Sequence, residues 1–271
     1  MATQHIDGVI HRIGERSYVE ECRSALATNG ALVLSGFFTD GAIAQIVEES
    51  APCEVNAFYT SSTHNVYVTA GDPTLPNDHP MNRQQRSNKG LIADDEIPMN
   101  SPLREVYNDV DFQAFLSGVL DVEQLFPYAD PMSSINVHFA SEGQELGWHF
   151  DNSAFAVTML LQAPVGGAEF EYVPDVRNAD AGEMAFDAVR AVLDGITDVK
   201  RLTFRPGDLV LFRGRNALHR VTPTKGPVTR LLAVFAYNER PGVALATSSM
   251  LTFYGRVEGR AEAPAPILLD G

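Results

Sequence analysis

Cysteine is nearly missing from these 271 residues: only Cys22 and Cys53 are present. Two thiols close one bridge at most, which excludes a disulfide-stapled scaffold and fits a reduced, cytoplasmic chain. Cations are scarce too, 20 Lys and Arg against 35 Asp and Glu, for a formal charge of −15. Nucleic acid and anionic membrane both demand a basic footprint, so neither is expected as a partner. No run of about 18 apolar residues occurs, so no membrane span is expected. The start, Met1-Ala2-Thr3-Gln4-His5-Ile6-Asp7, lacks the basic-then-apolar layout of a secretory signal. Repeats, low-complexity tracts and long charge runs are missing, so nothing marks a domain boundary and residues 1–271 are read as one domain. Gly-rich phosphate loops, C-x-x-C pairs and a G-x-S-x-G elbow are absent, which removes nucleotide binding and serine nucleophile chemistry.

What is present is an ordinary globular composition, 45% hydrophobic with 21 Gly and 16 Pro, arranged in two halves. Residues 1–130 read as helical and mixed. Apolar positions at helical spacing predict a helix over 16–29, stopped by Asn29-Gly30. Ala31-Leu32-Val33-Leu34 predicts a buried strand, and Thr39 caps a second helix through Val47. Asn, Asp, Pro, Ser and Gly dominate 61–101, which predicts a long polar loop able to act as a lid. Helical spacing returns over 103–120. From residue 131 to 255 the pattern is short strands, at 134–139, 148–151, 154–161, 168–173, 199–204, 209–212 and 231–237, interrupted by one helix at 181–193. Evenly spaced short strands predict a mainly β barrel or two-sheet jelly roll with flanking helices. Residues 256–271, with Ala261-Glu262-Ala263-Pro264-Ala265-Pro266, read as a loose tail.

The chemistry concentrates in Gly147-Trp148-His149-Phe150-Asp151-Asn152-Ser153. On a strand His149 and Asp151 share one face. A third ligand must come from elsewhere, and His219 in Leu218-His219-Arg220-Val221-Thr222-Pro223 is the candidate. Two imidazoles and a carboxylate suit a divalent metal and leave open positions, the pattern of non-heme Fe(II) oxygenases. Eleven residues past His219, Arg230 opens a very apolar strand. An always-charged, bidentate guanidinium there is suited to anchor the far carboxylate of a co-substrate. His5, His11, His64 and His79 are read as ordinary core or surface histidines.

Together, His149-Phe150-Asp151, Gly207-Asp208-Leu209-Val210-Leu211-Phe212, His219-Arg220-Val221-Thr222-Pro223 and Arg230 resemble the Fe(II)/2-oxoglutarate-dependent oxygenases over roughly 131–240. The resemblance implies a double-stranded β-helix, with Fe(II) on His149, Asp151 and His219 and with 2-oxoglutarate and O2 as co-substrates. Length, the segment 147–155 and the inserted helix resemble the small enzymes acting on free amino acids, including lysine halogenases and their hydroxylase relatives. The halogenases have Gly or Ala where this chain has Asp151, so the resemblance implies hydroxylation. Desaturation, cyclisation or halogenation by the same iron chemistry is the alternative. A non-catalytic metabolite-binding jelly roll is the alternative of another class.

Further candidates surround this set. Asn136 and His138 alternate with Ile135, Val137 and Phe139, so both are expected inside the barrel beside co-substrate or substrate. Arg83 and Arg86, in the polar loop, are candidates for a substrate carboxylate, and Asn152 follows the metal carboxylate directly. The expected partner is a small molecule; the sequence leaves homo-oligomer formation open.

Overall fold

Residues 4–258 are described by a computed structural model; the tail segment 261–266 lies outside the described residues. The expected first helix is α1 (Arg16–Asn29), and it ends where Gly30 adopts φ 71° with its N–H on Leu26 O. β1 (Ala31–Leu34) follows, then α2 (Asp40–Ser50), capped by the Thr39 hydroxyl accepting from Ala42 N–H at 3.3 Å.

The continuous loop expected over 61–101 is not there. β2 (Phe58–His64) and β3 (Gln85–Ile92) pair antiparallel, leaving as loop 65–84 and the short stretch 93–101, which includes a 3-10 turn at Asp94–Glu96. The misreading has a physical cause: β3 directs Ser87 and Lys89 inward, so it lacks the apolar alternation by which a half-buried strand is recognised. The helical pattern of 103–120 is split into α3 (Pro102–Tyr107) and α4 (Val110–Leu120), because the Asp109 carboxylate accepts from Phe112 N–H and starts a new helix.

The strand-rich half runs β4 (Ile135–Ala140), β5 (Glu145–His149), β6 (Ala156–Gln162), β7 (Gly166–Gly167) and β8 (Phe170–Val173). After α5 (Phe186–Leu193) come β9 (Lys200–Leu202), β10 (Leu209–Phe212), β11 (Leu218–Val221), β12 (Thr224–Lys225) and β13 (Arg230–Phe235). The last element, α6 (Thr247–Tyr254), carried no strong sequence signal. The inserted helix starts later than expected, at Phe186, since Asn178 and Glu183 form a bridge and Ala185 takes φ 53°.

The main sheet is antiparallel throughout, in the order β1-β10-β6-β13-β4-β3-β5-β11-β8-β9, with β2 paired to β3. It curls until its ends meet: Ala31 of β1 packs in one cluster with Phe170, Tyr172 and Leu202 of β8 and β9. The fold is therefore the expected mainly β, nearly closed jelly-roll barrel with flanking helices. Its largest core lies outside the barrel, where Val137, Phe139, Leu231, Ala233 and Phe235 meet Leu26, Ile46, Phe112 and Phe115 of the helices. Alternate residues of the same strands face inward. On that inner face Met250 and Tyr254 of α6 pack with Leu91 and Met132. Among the described residues no helix is long and apolar enough to cross a membrane.

Candidate active site

β5 and β11 are paired with His149 directly opposite His219, and two residues further along β11, Val221 faces Leu146. β5 thus carries one extra residue, a bulge at Gly147-Trp148 that re-aims His149. Gly147 is needed there because a methyl group on it would lie 2.5 Å from Arg86 O. Its N–H donates to Ser87 Oγ at 3.0 Å, and the Ser87 hydroxyl donates to His64 Nε2 at 2.7 Å. His64 Nδ1–H in turn donates to Asn65 O at 3.0 Å. His64, read from sequence as an ordinary histidine, therefore supports the bulge, and its ring centroid is 6.2 Å from that of His149.

Backbone carbonyls fix the tautomers of both ligand imidazoles. His149 Nδ1–H donates to Gly147 O at 2.8 Å and His219 Nδ1–H to Ala217 O at 3.0 Å. Each Nε2 lone pair then faces Asp151 Oδ1, at 3.5 and 3.4 Å. β5 ends at His149, so Asp151 stands in the following turn and not on the strand; its N–H is bonded to Gly214 O at 3.1 Å. All three donor atoms lie within 4.8 Å of one another. Donors placed ~2.1 Å from one metal are about 3.0–3.5 Å apart, so the spacing fits a first-row divalent ion. Burial and the neighbouring His219 push the His149 imidazole below its ordinary range. Burial alone would raise the Asp151 carboxyl, but His219 and His149 outweigh it and hold it well below the usual carboxylate range. Two imidazole Nε2 atoms and a carboxylate oxygen that converge in this way are a donor set able to hold a divalent cation.

The wall behind His219 is aromatic: Phe212 and Phe170 rings lie 4.8 and 5.6 Å from it. Trp148 packs on the other side of β5 with Val66, Tyr67, Phe150 and Leu218.

Deeper in the barrel, the register sets Arg230 opposite Ala140 and Leu232 opposite His138. Arg230 is 6% exposed, and among the described residues no carboxylate lies within ion-pair distance of it. Lys89, on the adjoining β3, donates from Nζ to His138 Nδ1 at 3.2 Å. Burial brings the Lys89 ammonium down to about 8, with Arg230 adding repulsion and Asp151 opposing it. Burial also lowers Arg230, to about 10. Burial, then Lys89 and Arg230, keep His138 neutral, well below its usual range. Two cations this far withdrawn from water, with no carboxylate among the described residues at ion-pair distance, are a pair that an anion would stabilise.

The other expected residues are placed less centrally. Asn136 shares the inner face, but its amide donates to Ser133 O and Tyr254 OH. Arg83 is held by Asp194 and Leu193 O at the end of α5, so it ties the 65–84 loop to that helix. Arg86 is exposed on the β3 face opposite Ser87 and Lys89. Asn152 is exposed, and its carbonyl accepts from Arg215. Lys89, Ser87 and His64 were missed because a polar strand lining a cavity looks, in one dimension, like a loop.

The fold is that of the 2-oxoglutarate-Fe(II) oxygenases. A 2OG-Fe(II) oxygenase-family oxidoreductase from Burkholderia pseudomallei superposes with TM-score 0.51 at 13% identity, over 83% of this chain and 92% of its own. The α-ketoglutarate-dependent carbocyclase SnoK of nogalamycin biosynthesis gives 0.57 at 12% identity, over 89% and 94%. A Trichoplax adhaerens prolyl hydroxylase gives 0.50 at 12% identity, over 87% and 94%. No curated protein matches the chain by sequence. The family model of halogenase D matches residues 19–250, and the chain belongs to that family.

Proposed function

We propose that this protein is an Fe(II)- and 2-oxoglutarate-dependent hydroxylase of a small polar substrate, of the free amino acid class. The observation that carries the reading is the donor set: two imidazole nitrogens and one carboxylate oxygen converge, while Arg230 and Lys89 stand in the same barrel with no carboxylate among the described residues at ion-pair distance from either. His149, Asp151 and His219 would hold the iron. Iron with 2-oxoglutarate and O2 supplies an oxidant able to take hydrogen from an unactivated C–H bond, with release of succinate and CO2.

Each residue then has a definable part. The carbonyls of Gly147 and Ala217 keep both Nε2 atoms unprotonated for the metal. Arg230 and Lys89 bind the distal carboxylate of the co-substrate, and His138 accepts from Lys89 and aims its ammonium. The aromatic wall of Phe170 and Phe212 excludes water behind His219. Asp151 occupies the position that the lysine halogenases leave to halide, which supports hydroxylation despite the family's name. The amino acid class of substrate is what the resemblance in length, in the segment 147–155 and in the inserted helix implies.

The test is anaerobic addition of Fe(II) and 2-oxoglutarate, followed by air and a panel of free amino acids. A weak visible charge-transfer band and substrate-stimulated succinate are expected. Chlorinated product in the presence of chloride would replace hydroxylation with halogenation. Wild-type protein that takes up no metal would overturn the reading.

A further inference from the structure

Gly214 stands in the turn between β10 and β11, buried against the third metal ligand. A methyl group on it would lie 1.8 Å from Asp151 Oδ2, 2.5 Å from Asp151 Cγ and 3.0 Å from Asp151 Cβ. Glycines usually mark turns that need left-handed backbone, but Gly214 is outside the set with positive φ. Its turn would accept alanine; the space around it would not.

The collision cannot be relieved by parting the two loops. Asp151 N–H is bonded to Gly214 O at 3.1 Å, and Arg215 Nη1 donates to Asn152 O at 2.9 Å. The same Arg215 is held by Asp180, its Nε 3.0 Å from Oδ1. Nor is the side chain long enough to flex away. An aspartate carboxylate leaves a contact mainly by turning about χ1, and that turn carries Oδ1 off both imidazoles.

We propose that Gly214 is a positioning residue for the metal: the empty volume at 214 is what lets Asp151 stand in the one rotamer that faces His149 and His219. The inference rests on the reading that these three residues bind the metal. It makes the ligand set a pair of choices, a carboxylate at 151 and no side chain at 214. A chain with glycine at 151 is free of that constraint.

The experiment is a double-mutant cycle on the full chain with Co(II), anaerobically, following both the visible d–d bands and thermal unfolding. Gly214→Ala is expected to weaken Co(II) binding by about 10- to 100-fold and to shift its bands toward those of Asp151→Gly. Asp151→Gly/Gly214→Ala should bind no worse than Asp151→Gly alone, and should melt higher than Gly214→Ala. Wild-type affinity and spectrum in Gly214→Ala would overturn the proposal, as would losses that multiply in the double variant. Should Gly214→Ala fail to fold, the double variant decides. Recovery of folding places the clash on the carboxylate, and continued failure places it elsewhere and ends the proposal. Wild type that binds no Co(II) sinks the functional reading itself, whereas a normal Gly214→Ala sinks only this one.

Discussion

The two faces of β4 and β13 carry opposite kinds of residue. Outward, Val137, Phe139, Leu231, Ala233 and Phe235 are nearly dry and packed on α1, α2 and α4. Inward, Asn136, His138 and Arg230, with Lys89 on the neighbouring strand, place charge and polarity in the barrel. The outer face is satisfied by the protein alone. The inner face is not, since Arg230 and Lys89 stand near each other and, among the described residues, neither has a carboxylate at ion-pair distance. Strand alternation thus divides labour along a single segment: one face stabilises the fold, and the other holds groups that only a ligand would satisfy.

The largest effects should separate these faces cleanly. His149→Ala or His219→Ala is expected to abolish iron-dependent succinate formation while the melting temperature of metal-free protein stays close to wild type. Retained turnover in either variant would mean the donor set is wrong. Phe139→Ala on the outer face should do the reverse, lowering stability by about 3–5 kcal/mol in denaturant titration. Its folded fraction should keep its 2-oxoglutarate affinity.

Arg230→Met and Lys89→Met sharpen the contrast next. Each is expected to weaken 2-oxoglutarate binding, Arg230→Met by about 100-fold or more, because an anion loses its charged, bidentate partner. Lys89→Met should also make the ligand-free protein more stable. Its ammonium lies at about 8 in the fold against the ordinary 10.5, so carrying the proton opposes folding. That penalty is full below pH 8 and relieved between 8 and 10.5, so the stability gain of Lys89→Met should be greatest below pH 8. Thermal melts across that range check the sign, and a gain that grew with pH would contradict it.

The same proton acts with the opposite sign on binding. Above about pH 8 the free protein loses the Lys89 charge, so 2-oxoglutarate affinity should be about tenfold weaker at pH 9 than at pH 7. In Lys89→Met that slope should vanish. A slope that survives the substitution would assign the titration to another group. The smallest effect expected is spectroscopic: Asp151→Gly should make the iron spectrum sensitive to chloride, and insensitivity would argue against a vacated coordination position there.

The metal donors were legible because their signal is chemical. Two histidines, a carboxylate and an arginine at the head of an apolar strand are rare enough in combination to stand out without coordinates. α1 and β1 were legible from periodicity, since α1 buries one stripe and ends at a glycine suited to φ 71°. β3 was not, because its inner face carries Ser87 and Lys89, and hydropathy cannot tell a polar barrel interior from solvent. Arg83 read as a candidate for a substrate carboxylate because nothing in its neighbours announces Asp194, 111 residues away.

By itself the sequence determined the kind of chemistry: residue types that bind a divalent metal, strands to carry them and an acidic, cysteine-poor chain around them. Tertiary structure alone decided which groups meet. The bulge that aims His149, the Ser87–His64 link beneath it, the pairing of Lys89 with His138 and the space at Gly214 for Asp151 all join residues distant in the chain. Such contacts depend on strand register and on volume, and neither is a property of any local stretch of residues.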